Sequence, residues 1–128
     1  MSLACFKIVL LNVVLSWILS GCATLPATPA GFSSFSSYAE TVFRHQNEVS
    51  SRLMMLNDTD QLPDDENFER AEEVMTDACQ LLNEYAEREK SKESMGWRFK
   101  RKVQKSVAGC DASIQQMEAL LNKLDVER

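Results

Sequence analysis

Three stretches of the chain place apolar residues at alternating intervals of three and four, the pattern of helices packed side by side. The first covers about Ser37 to Asn57, with Phe35, Ala39, Val42, Gln46, Val49, Leu53 and Leu56 along one face. Ser37 and Glu40 stand at the spacing of a capping box. Gln46 is the one polar residue in register, and Met54 and Met55 widen the apolar stripe. The break "NDTDQLPDDE" then places Asp64, Asp65 and Glu66 where carboxylates cap free amides and favour the dipole of a second helix. That helix carries Phe68, Ala71, Met75, Ala78, Leu82 and Tyr85, with Val74, Cys79, Leu81 and Ala86 beside them. Periodicity fades at "KSKESMG" and resumes through Val103, Val107, Cys110, Ile114, Met117, Leu121 and Leu124, predicting a third helix from Trp97 to Val126. No period-two run of β-branched residues is bounded by turns, so the pattern predicts an all-α domain over residues 35–128.

Ahead of these segments the pattern changes. Lys7 precedes "IVLLNVVLSWIL", and the run closes on Ser20, Gly21 and Cys22, the layout of an export signal with its cleavage site. A spanning helix needs about 20 apolar residues, and this run has roughly a dozen with no charges behind it. The stretch Leu19-Ser20-Gly21-Cys22 resembles the lipobox of bacterial lipoproteins. The resemblance covers only the signal and Cys22. It implies cleavage before Cys22, a diacylglycerol on its sulfur and an acyl chain on its new amine. With Ala23 rather than aspartate next in line, it also implies the outer membrane, facing the periplasm. The bland alternatives are a plain cleavable signal with an incidental cysteine, or a retained anchor. Residues 1–21 are then the signal peptide, and 22–34, rich in Pro, Ser, Thr and Gly, the lipidated N-terminus and tether.

Export gives the cysteines a meaning. Of four, Cys5 leaves with the signal and Cys22 is acylated, so Cys79 and Cys110 are left as a pair. In an oxidising compartment such a pair reads first as a disulfide. Two buried thiols are the alternative, and a metal site would need more ligands than His45 adds. Folding the second helix back on the third about a turn between Ser94 and Met95 sets opposite each other residues whose numbers sum to 189. Cys79 and Cys110 obey that rule, as do Leu82 with Val107, Met75 with Ile114, and Phe68 with Leu121. The expected architecture is an antiparallel three-helix bundle with a disulfide between the second and third helices.

Charge adds one anomaly. The chain carries a formal −5, or −6 without Lys7 (13 basic against 19 acidic residues), which argues against nucleic acid as a partner. Yet residues 90–105 hold Lys90, Lys92, Arg98, Lys100, Arg101, Lys102 and Lys105. The structural account pairs Glu89 with Lys100, Glu87 with Lys102 and Glu84 with Lys105 across the hairpin. The functional account places Trp97, Arg98, Phe99, Lys100, Arg101 and Lys102 against anionic headgroups or a partner, at the end of the bundle where the tether arrives.

Nothing in the sequence builds a catalytic constellation. His45 is the only imidazole and lies beside Arg44, off the apolar seam; only a carboxylate brought in from another helix would turn the two into a site. Asp58, Asp60, Asp64, Glu66 and Glu69 match a calcium-loop count, but Pro63 stands where the central glycine is required. The expected function is therefore a non-enzymatic interaction or structural module on a lipid anchor, without cofactor or metal, meeting an envelope protein at the membrane surface. The alternatives are a small periplasmic ligand carrier or enzyme, or an assembly subunit.

Overall fold

The computed structural model describes residues 34–126 of the chain. The expected export signal, Cys22 and the expected tether as far as residue 33 lie outside the described residues. Three helices account for most of what is described: α1 (Phe35–Asp58), α2 (Glu66–Lys90) and α3 (Trp97–Val126). Their apolar stripes close on one core that holds Val42, Val49, Leu53, Phe68, Met75, Leu82, Val107, Ile114, Met117 and Leu121. The bundle expected from the spacing is the bundle observed.

The ends of the helices follow from their local sequence. Asp65 caps α2, its side chain accepting the backbone N–H of Asn67, and Glu66 and Glu69 occupy the first turn. The start of α1 differs from expectation. Ser34, not Ser37, is the cap, and Ser37 donates its backbone N–H to the Ser34 hydroxyl at 3.2 Å. Four serines surround Phe35, so cap chemistry alone does not choose among them. Tertiary packing does, because the Phe35 ring meets Tyr85 of α2 edge-on at 6.2 Å and is drawn into the helix.

The α2–α3 pair is the closest in the bundle. A disulfide joins Cys79 to Cys110 with their Cα atoms 4.7 Å apart, and both residues are fully buried. The pairs expected from the 189 register, Leu82 with Val107, Met75 with Ile114 and Phe68 with Leu121, are all core residues. A bridge closing a loop of this size, with its ends separated by 31 in sequence, stabilises by about 3 to 4 kcal/mol in the loop-entropy account.

The α1–α3 pair follows a second rule, a constant difference. The Tyr38 hydroxyl donates to Asp111 at 2.9 Å, His45 Nε2 lies 3.2 Å from Glu118, and Arg52 pairs with Asp125 and donates to Asn122 at 2.8 Å. Tyr38–Asp111, His45–Glu118 and Arg52–Asp125 each differ by 73 in sequence, in steps of seven residues. A constant difference means parallel helices, so α1 runs alongside α3 with a polar rung every second turn.

Together the two rules fix where the chain enters. Continuing the difference of 73 sets Phe35 level with Ala108, while its contact with Tyr85 sets it level with Gln104. Seven to eleven residues of α3 therefore project past the start of α1, roughly 10 to 16 Å at 1.5 Å per residue. The α2–α3 turn is an overhanging tip at the end where the tether joins α1.

Candidate basic tip

The tip begins with a helix ending that sequence preference does not favour. The N–H of Lys92 donates to Glu89 and that of Glu93 to Arg88, the paired bonds that close α2. Closing them puts Lys92 at φ 56°, in the left-handed region where glycine is the usual residue. Four residues on, α3 starts after Gly96, which has no side chain to cap with. Its first turn holds no carboxylate and carries Arg98 and Lys100 instead. Cations there face the positive end of the helix dipole.

Residues 88–105 hold eight cations against two carboxylates, and the rest of the described chain four cations against sixteen carboxylates. The expected pairs across the hairpin do not form. Glu84 accepts from Arg88 at 2.6 Å on its own helix, and Glu89 accepts from the Tyr85 hydroxyl at 3.1 Å. Both carboxylates are satisfied within α2, one turn away, before α3 is reached. Among the described residues, Arg98, Lys100, Arg101, Lys102 and Lys105 make no ion pair. All five are exposed.

The aromatic residues of the tip divide. Trp97 is 68% exposed, with the Arg98 guanidinium 5.6 Å from its ring centroid. Phe99 is half-buried against the core, beneath the Arg88 guanidinium at 4.5 Å. Trp97, Arg98, Lys100, Arg101 and Lys102 thus form the presented surface, and Phe99 anchors it to the bundle. Burial, with the adjacent Glu89 carboxylate adding to it, raises the Tyr85 phenol, and a hydrogen bond with Ser36 acts in the opposite direction.

The other sequence candidates lie elsewhere. His45 does meet a carboxylate of another helix, Glu118, but Arg44 turns to Glu40 on α1, so the three do not converge. Among the described residues no group of three His, Cys, Asp or Glu side chains is placed to hold a metal ion, and no helix is long and apolar enough to cross a membrane. Sequence reading missed Tyr38, which is buried and whose phenol is pushed up to about 12, first by burial and then by the Asp111 carboxylate it donates to. The signal was present as a seven-residue spacing, Tyr38–His45–Arg52 against Asp111–Glu118–Asp125.

No protein-family model, curated protein or solved structure matches the chain. The functional reading rests on the residues themselves.

Proposed function

We propose that the protein is a lipid-anchored envelope module without catalytic activity. An acylated Cys22 holds it to the outer membrane, on the periplasmic side, and the basic tip rests on anionic headgroups while the bundle presents its sides to a protein partner. The observation that carries this reading is the tip: eight of the twelve cations of the described residues lie in residues 88–105, beside an exposed Trp97. The tether supports it. Residues 23–34 number twelve, and an extended chain spans at most about 3.3 to 3.6 Å per residue. That reach, about 40 Å, exceeds the overhang, so the anchor and the tip can meet one bilayer together. Each cation near an anionic surface contributes about 1 kcal/mol, and tryptophan favours the interface.

Two measurements test the two halves. Mass spectrometry of the native protein should find Cys22 acylated, and an unmodified residue 22 removes the anchor. Co-sedimentation of residues 23–128 with vesicles should rise with anionic lipid, fall with salt, and be lost on replacing Arg98, Lys100, Arg101 and Lys102 by serine. Equal binding to neutral vesicles, or no loss in the serine variant, removes the tip from the account.

A further inference from the structure

The seam between α1 and α2 is the loosest of the three, and it holds two hollows. One, of about 240 Å³, lies toward the α1–α2 loop and is lined by Met54, Leu62 and Glu72 among others. The second, of about 210 Å³, lies toward the start of α1 and is lined by Phe43, Glu40 and Glu89 among others. Every charged residue lining either hollow is a glutamate. Met54 is 65% exposed, a large apolar side chain left in water beside the first hollow.

Gln46 sits between them, one helical turn from Phe43 on one side and one turn from Ser50 on the other, residues that line the two hollows. It is only 8% exposed, and its Oε1 has no hydrogen-bond partner. A buried acceptor left unpaired costs stability, and an apolar residue at the same seam position would avoid that cost. The larger hollow of the molecule, between α2 and α3, offers no such guide, because Asp65 and Lys123 both line it.

We infer that the α1–α2 seam is the docking groove for one cationic amphipathic helix of a partner protein, which completes a four-helix arrangement. Its apolar side chains enter the two hollows beside Met54 and Phe43, and its Lys or Arg residues meet Glu40 and Glu72. Residues 43 to 54 of α1 span roughly 16 Å at 1.5 Å per residue, so the two apolar anchors stand about three helical turns apart. This inference names the partner of the module proposed above, and it uses neither the basic tip nor the acyl group.

The test is photo-crosslinking from positions 43 and 54 of the full-length chain in its own cells, with peptide mapping of the products. Both positions should reach one partner protein, within one helix-forming segment rich in Lys or Arg, at sites about three turns apart. Glu40→Lys with Glu72→Lys should lower the yield at least about tenfold, since like charges then face each other. Absence of product, a partner segment without cations, yields unmoved by charge reversal, or products mapping to Trp97–Lys105 of a second copy would each overturn the inference. Intact mass of the same sample reports Cys22 acylation, so failure of the anchor and failure of the groove are scored separately.

Discussion

The two loops of the bundle are built alike and charged oppositely. After α1, Asp60 takes the left-handed conformation at φ 54° and the N–H groups of Asp60 and Gln61 close the helix; after α2, Lys92 at φ 56° and Glu93 do the same. At the α1–α2 loop the charges at the left-handed site and at the start of α2 assist folding. Aspartate tolerates the left-handed region better than most residues, Asp65 caps α2, and Glu66 and Glu69 complement its dipole. At the α2–α3 turn Arg88 and Lys90 favour the end of α2, but the positions that follow work against folding. A lysine occupies the left-handed site, the glycine before α3 brings no side-chain oxygen, and cations crowd the positive end of the helix. The acidic end is accounted for by stability alone. The basic end carries costs that stability does not account for, and such local conflicts mark functional positions.

Replacing Cys79 and Cys110 by serine sharpens this contrast by loosening the pair that carries the tip. It should cost about 3 to 4 kcal/mol in urea unfolding, and a loss under about 1 kcal/mol would mean that apolar packing alone holds the register. Asp65→Ala should cost about 1 kcal/mol of stability by removing the cap of α2, and it should leave vesicle binding unchanged. Lys92→Gly should do the reverse, stabilising by about 1 kcal/mol as the left-handed site relaxes while weakening vesicle binding. Neutralising Arg98 and Lys100 should stabilise α3 by about 0.3 to 1 kcal/mol through its dipole. If these two changes instead destabilise the protein, the basic tip serves the fold and the contrast fails.

A fifth expectation concerns the seam that joins α1 to the hairpin. Because the folded phenol of Tyr38 is raised above its usual 10 to about 12, the unfolded chain loses that proton first. Stability is full below pH 10 and falls as pH rises through that window. Thermal melts of Tyr38→Phe against the parent should show a gap that narrows between pH 10 and 12, and a constant gap would break the assignment.

The two seams also show what the sequence could and could not yield. The α2–α3 register was readable because Cys79 and Cys110 index it, and three apolar pairs repeat the same sum. The α1–α3 ladder was not, since polar residues at a surface have many possible partners, and only the seven-residue spacing of three of them distinguishes Tyr38, His45 and Arg52. The cap of α1 failed for a related reason: any of four serines near Phe35 has the required oxygen, and the choice is made by an aromatic contact with Tyr85, distant in sequence. The basic cluster was visible as composition, but the lack of ion pairs at Arg98, Lys100, Arg101, Lys102 and Lys105 among the described residues was not, because sequence spacing shows Glu84 and Glu89 within reach of two sets of partners without saying which set wins.

The central claim, that the tip meets the bilayer, has a built-in reporter. The chain holds two tryptophans, Trp17 and Trp97, and cleavage of the proposed signal would remove the first. In the acylated mature protein on anionic vesicles, Trp97 emission should shift to the blue and be quenched by brominated lipid, and high salt should reverse both changes. Emission that stays as in water, with quenching by a water-borne quencher equal on anionic and neutral vesicles, would contradict the account.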